Sequence, residues 1–336
     1  MKVILLLAAF LLLVSASPQQ RRIGEIEFYG YTDLDLSRLR SSLPVHEGDP
    51  ISEEKILEAA DQLREAVKQA LGRDPTDVAP VCCDDHGNWM IYIGLPGSSV
   101  KSFDYNAAPK RSIRLPGEMV KLYDQSMDDL AVAVRQQQAQ EDESRGYVLS
   151  AYPPLRAKQL TTRAYAIRHE RLVRRALEFS SQPEQRWVAA HILGYARQSK
   201  QQRDALVRAS RDISDTVRNN AVRALSVLAQ SSAKVAARIP AGAFVDMINS
   251  GSWTDRNKGG WLLELLSARR DPKLMAQLRA RSMESLIEMA QWRSAGHAHS
   301  ARVLLGRIAG IEENRLQELV TAGRVEQIIE SLKRSP

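Results

Sequence analysis

Asp212-Ile213-Ser214-Asp215-Thr216-Val217-Arg218-Asn219-Asn220-Ala221-Val222-Arg223-Ala224-Leu225-Ser226-Val227-Leu228-Ala229 is the stretch whose pattern decides the fold. From Val217 onward the apolar residues Val217, Ala221, Ala224, Leu225 and Leu228 fall at i, i+4, i+7, i+8 and i+11, the stripe of a helix with one buried face. The same sentence recurs. Arg256-Asn257-Lys258-Gly259-Gly260-Trp261-Leu262-Leu263 sets Arg-Asn on Arg-Asn and Leu263 on Leu225, Arg186-Trp187-Val188-Ala189-Ala190-His191-Ile192-Leu193 precedes, and Ala301-Arg302-Val303-Leu304-Leu305 follows. With Leu193, Leu225, Leu263 and Leu305 in one column the steps are 32, 38 and 42 residues. A drifting period suits stacked helix pairs and excludes a coiled coil, which needs unbroken heptads.

Each of these helices follows another amphipathic segment, at about 169–179, 202–211, 243–249 and 283–291, and polar or glycine-containing breaks such as Ser180-Ser181-Gln182-Pro183 and Asn249-Ser250-Gly251-Ser252 part the members. One pair cannot bury its apolar stripe, whereas stacked neighbours remove those stripes from water in turn. On the order helix, aspartate turn, Val-Arg-x-x-Ala-x-x-x-Leu, matched by Asp212, Val217, Arg218, Ala221 and Leu225, the region 163–334 resembles the HEAT repeat family in its short bacterial form. The resemblance implies an α-solenoid with an Asp–Arg ladder between successive turns, placing Asp212 and Arg218 in it, with Arg186 and Arg256 as the matching arginines. Ser180 and Ser250 stand where the other aspartates would be, and the fourth copy has Trp292 and Ala298. Helices at 312–319 and 324–332 would cap the array.

Residues 21–96 form a different unit. Ile23 and Glu25-Ile26-Glu27-Phe28 alternate like a strand, Leu34, Leu36, Leu39 and Leu43 mark a short helix, and Ser52-Glu53-Glu54-Lys55 opens a longer one. Strands are expected at 77–82 and 89–95, either side of Asp85-His86-Gly87-Asn88. This βααββ order, the Ile-Glu-Phe-Tyr-Gly opening and Gly48-Asp49 resemble a single POTRA module, which implies an envelope setting, protein partners and a sheet edge open to strand addition. The fold class expected is therefore mainly α, a HEAT-like α-solenoid preceded by a small α+β unit. Residues 97–162 read as a linker with a helix at about 116–138 that packs on the first repeat, and Tyr152-Pro153-Pro154 as a stop to regular structure.

Residues 1–16 hold one cation, Lys2, then the apolar run Val3 to Val14 and small residues at Ser15-Ala16, the layout of a cleavable secretory signal. A retained anchor is the alternative. No later stretch is apolar enough to span a membrane. The net charge of +7 is spread along the chain. An exported chain meets little nucleic acid, so protein or peptide partners are expected.

Cys82-Cys83-Asp84-Asp85-His86 is the most reactive-looking segment. Three readings stand: a vicinal disulfide, one buried thiol beside an exposed one, or a metal site with His86. Iron-binding helical-repeat hydroxylases carry His-Glu pairs within their repeats, but here His46-Glu47 lies outside them and His169-Glu170 in only one. His297 and His299 are two apart and diverge on a helix. Phosphate loops, nucleophile elbows and His-Glu-x-x-His metal helices do not occur. Trp187, Trp253, Trp261 and Trp292 near the repeat starts read as core filling. No catalytic residue, metal or cofactor is assigned. The function expected is an exported, non-enzymatic scaffold of the bacterial envelope; the competing class is an enzyme or ligand carrier, linked to a metal or tetrapyrrole, with its site between the two units.

Overall fold

Alternation in the amino-terminal unit produces a three-stranded sheet. In the computed structural model, which describes residues 21–334, β1 (Ile23–Tyr29), β2 (Asp77–Cys82) and β3 (Trp89–Gly94) are ordered β1-β3-β2, with β3 parallel to β1 and antiparallel to β2. The secretory reading of 1–16 lies outside the described residues. Parallel pairing needs a crossover, supplied by α1 (Leu36–Ser41) and α2 (Ile56–Leu71). Helix α2 buries Ile56, Ala60, Leu63 and Val67 in one core with Ile26, Phe28, Ile91 and Ile93. Tyr29, Met90 and Tyr92 belong instead to the core of the helical part. Both faces of β3 are thus covered, which is why it is apolar at every step from Met90 to Ile93.

The rest of the described chain is mainly helical, with an extended connector after β3 and a short hairpin, β4 (Glu141–Asp142) and β5 (Leu149–Ser150). It comprises α3 (Gly117–Arg135), α4 (Pro153–Phe179), α5 (Pro183–Gly194), α6 (Lys200–Ala209), α7 (Asp215–Ser231), α8 (Ala233–Ala236), α9 (Trp253–Leu266), α10 (Pro272–Arg281), α11 (Met283–Ala290), α12 (Ala295–Ile308), α13 (Glu313–Thr321) and α14 (Val325–Arg334). Helices α5, α7, α9 and α12 pack each on the next, and Leu193, Leu225, Leu263 and Leu305 are all fully buried between layers. Helices α4, α6 and α11 are partners of α5, α7 and α12. Extra helices α8 and α10 fall inside the longer steps of the leucine column, which accounts for its drift.

Several expectations need correction. Pro153 and Pro154 start a helix instead of stopping one: α4 begins there, with a kink at His169, so 153–162 is helix and not linker. Proline suits the first helical turn because its missing N–H is one that has no intrahelical acceptor there. The segment 243–249 is no α-helix but part of 3₁₀ turns at Ala241–Ala243 and Val245–Asn249. Pro240 and Gly242 beside it disfavour α-helix. Helix α3 ends at Arg135, short of 138.

The connector after β3 is not a loose tether. Running against the order of the helices, it donates Lys101 N to Asn249 O at 3.0 Å, Asn106 N to Arg211 O at 2.7 Å and Arg111 N to Phe179 O at 3.1 Å, and Leu115 N reaches Gln185 Oε1 at 2.7 Å. This strap crosses the turn of each successive pair, and α3 then packs on α4 and α5. The amino-terminal unit therefore sits on the late helices although it precedes the early ones in sequence. Among the described residues no helix is long and apolar enough to cross a membrane.

Candidate functional site: a sealed ladder and an open cleft

The arginine column is buried beneath the strap. Arg186 on α5 binds Asp212 with Nε to Oδ2 at 2.7 Å and Nη2 to Oδ1 at 2.8 Å, while its Nη1 donates to Ser180 O at 2.9 Å. Arg218 on α7 repeats this, Nε and Nη2 to Asp255 at 2.7 and 2.8 Å and Nη1 to Asp212 O at 2.9 Å. Arg256 on α9 donates Nε to Ser250 O at 2.7 Å and Nη1 to Glu288 Oε2 at 3.2 Å. Each guanidinium closes its own turn and reaches a carboxylate of the next pair. Asp212 and Arg218 thus do not bind each other side chain to side chain; Asp212 serves Arg186 and Arg218 uses Asp255. The serine at the expected acid position, Ser250, donates to Asp255 Oδ2 at 2.7 Å. Arg302 on α12 ends the column on carbonyls, Ala290 O and Trp292 O, both at 2.9 Å. Forked arginine–carboxylate pairs of this kind fix geometry, and removing one partner from a buried pair costs about 3–5 kcal/mol. The strap covers the column with Tyr105, whose ring lies 4.7 Å from the Arg218 guanidinium.

Glu288 joins the two parts of the molecule. Besides Arg256 it accepts Gly30 N at 2.7 Å, Tyr31 N at 3.0 Å, Thr32 N at 2.9 Å, Thr32 Oγ1 at 2.8 Å and Ser99 Oγ at 2.7 Å, and it is buried. Successive amides converging on one carboxylate make an anion nest. Gly30 is needed here: its φ is +70°, and a Cβ would run into Leu95 O and the Val100 side chain. Trp292 Nε1 donates to Phe28 O at 3.0 Å, and Arg293 binds Glu27 at 2.7 Å and Glu47 Oε2 at 2.9 Å. Its guanidinium holds the Glu47 carboxyl below the usual range. With Glu47 on Ile26 N and Arg40 and Arg293 on Ile26 O, the outer edge of β1 is occupied by side chains. On the other edge, β2 carries Pro80, which has no amide hydrogen to offer a further strand.

A second face, formed by α5, α7, α9 and α12, is covered only in part. Over α5 and α7, Tyr123 of α3 stacks edge-on to His191 at 5.0 Å, and Glu141 of the hairpin pairs with Arg223. Burial holds His191 down to a pKa of about 3. Over α9 and α12 the face is open as a cleft of about 700 Å³ lined by Asn257, Lys258, Trp261, Glu264, His297 and His299 among others. His297 Nδ1 lies 2.6 Å from Tyr92 Oη, and burial brings its pKa down to about 4. His299 Nε2 lies 3.3 Å from Glu264 Oε1, a pairing that raises the imidazole above its ordinary value. The two histidines therefore share a cleft but face different partners. Trp292 is core filling, as expected, whereas Trp261 lines the cleft. Asp255, Glu288 and Lys258 carry no sequence signal that sets them apart.

Cys82 and Cys83 are bonded to each other, the first of the three readings, and Arg21 Nη1 points at Cys82 Sγ from 3.6 Å. Cys83 lines a cleft of about 870 Å³ with Arg21, Asp84, His86 and Arg135, between the β2–β3 turn and the end of α3. His86 is tied into that turn by its main-chain N, which donates to Asp84 Oδ1 at 2.9 Å. His46 neighbours Asp49, and His169 stacks on Tyr165 at 4.5 Å, so the His-Glu pairs do not converge. Among the described residues no group of His, Cys, Asp and Glu is arranged to hold a metal ion. No family profile, curated protein or solved structure matches the chain.

Proposed function

We propose that the chain is an exported, non-enzymatic protein–protein interaction scaffold of the bacterial cell envelope. In this reading the stacked pairs are a HEAT-like α-solenoid, the βααββ unit is POTRA-like, and the solenoid holds a protein or peptide on the face of α9 and α12. The observation that carries it is the uneven cover of that face. The chain fills it over α5 and α7 with α3 and the β4–β5 hairpin, yet leaves Lys258, Trp261 and Asn257 lining an open cleft on the next helices. Open polar clefts with an aromatic wall are where partner segments anchor.

The test is capture by the purified chain from an envelope extract, followed by reconstitution with the purified partner. The combined variant Lys258→Glu, Trp261→Ala is expected to lose the partner while keeping its helical circular dichroism. Equal binding by the variant would contradict the proposed face. The competing reading as a ligand carrier draws on the cleft at Cys83, and stoichiometric iron, zinc or tetrapyrrole on the purified protein would favour it.

A further inference from the structure

Lys258 is the exception among the cations of the second-helix face. Arg223, on the preceding helix, is paired with Glu141, and Arg307 of α12 with Glu313 at 2.7 Å. Among the described residues nothing hydrogen-bonds the Lys258 ammonium, which lies 5.7 Å from the Trp261 ring centre at the wall of the open cleft. Protein atoms exclude water and the Arg223 charge opposes the ammonium, which outweighs the attraction of Glu141 and Glu143 from the hairpin, so its pKa falls to about 8.

We propose that this recess is a subsite for a single carboxylate carried by a peptide partner, held between Lys258 Nζ and His297 with its carbon chain against Trp261. The proposal rests on the scaffold reading and names the chemistry of its ligand. Tyr92 takes up Nδ1 of His297, which leaves Nε2 as the ring nitrogen available to a ligand. Asn257 on the same wall adds an amide. One cation beside neutral donors matches a monoanion. A phosphate dianion is disfavoured by the carboxylates around the recess: Glu264, held by His299 and by Ser300 Oγ at 2.6 Å, and Glu143 of the hairpin, which faces Lys258. Glu143 is also the internal rival. Its Oε2 is buried without a hydrogen-bond partner, and pairing with Lys258 would satisfy both groups and close the subsite.

Competitive acetylation of the whole chain by acetic anhydride, read residue by residue by mass spectrometry with exposed Lys110 as internal reference, decides between them. Lys258 is expected to titrate near pH 8. N-acetylglutamate α-methylamide, whose one charge is its side-chain carboxylate, is expected to slow its acetylation roughly tenfold at about 10 mM if the fragment binds with a Kd on the order of 1 mM, and the neutral N-acetylglutamine α-methylamide to leave it unchanged. No protection by N-acetylglutamate α-methylamide, or the same protection by N-acetylglutamine α-methylamide, overturns the proposal. Stronger protection by inorganic phosphate than by N-acetylglutamate α-methylamide overturns the carboxylate assignment. A Lys258 that is unreactive in the native chain but reactive in Glu143→Gln gives the site to the internal pair and also overturns it. This readout needs no captured protein, so failure of the capture experiment and failure here are separate results.

Discussion

The strap-covered column and the open cleft are built from the same helices and the same kinds of side chain, yet they differ in who supplies the counter-charge. Under the strap, Arg186, Arg218 and Arg256 meet Asp212, Asp255 and Glu288, all from the chain itself. In the cleft Lys258 meets none by hydrogen bond among the described residues. The difference separates structure from recognition: a buried charge whose partner is internal holds layers together, whereas one left against an aromatic ring in an open recess is available to a ligand.

The largest effect should come from breaking the junction. Glu288→Gln removes the charge that faces Arg256 and the amides of Gly30, Tyr31 and Thr32, and is expected to cost about 3–5 kcal/mol in urea unfolding, against less than about 0.5 kcal/mol for Lys110→Gln on the surface. The ladder sharpens the same contrast. Arg186→Met alone leaves Asp212 buried with its main charge partner gone and should cost about 3–5 kcal/mol, whereas Arg186→Met with Asp212→Leu should cost less than either single change. Double-mutant cycles in denaturant measure this, and additive losses would mean the pair is not a unit.

Acid should weaken the second face through its two buried histidines. His191 and His297 are held neutral by burial, with pKa values of about 3 and 4. An unfolded histidine takes up a proton near pH 6.5, so between that value and 4 the unfolded state binds more protons and stability falls as pH falls, at most about 1.4 kcal/mol per pH unit for each ring. His299, raised by Glu264, runs the other way: its contribution is fully present below pH 6.5 and is lost as pH rises through its folded value. Thermal melts of His191→Phe and His297→Gln across this window should be flatter than those of the parent chain. The smallest effect is at the strap itself, where Tyr105→Ala should cost about 0.5–1 kcal/mol for the lost stacking on Arg218.

Much of the helical part was legible because packing repeats in sequence. The buried leucines and the arginines at 186, 218 and 256 occupy matching places, since each must reach the same layer. Of their carboxylates only Asp212 was legible, from its turn, and its side-chain partner is Arg186; Asp255 at the start of α9 and Glu288 on α11 were not, for only geometry fixes where those acids must stand. The strap left no mark either. Its main-chain N–H groups go to distant turn carbonyls and to the Gln185 side chain, which impose no periodicity on 97–116 and ask for no residue type there. Pro153-Pro154 misled because the same residues that end helices also begin them. In the cleft, Lys258 looks in sequence like any solvated helix lysine, and only the absence of a nearby hydrogen-bonding partner sets it apart.

Native hydrogen exchange along residues 97–116 tests the account most directly. If the strap is an integral layer over the ladder, the amides of Lys101, Asn106, Arg111 and Leu115 should exchange as slowly as those of α7, and Glu288→Gln should release Lys101 first and Leu115 last. Exchange of all these amides at the rate of an unstructured peptide, while α7 stays protected, would contradict it.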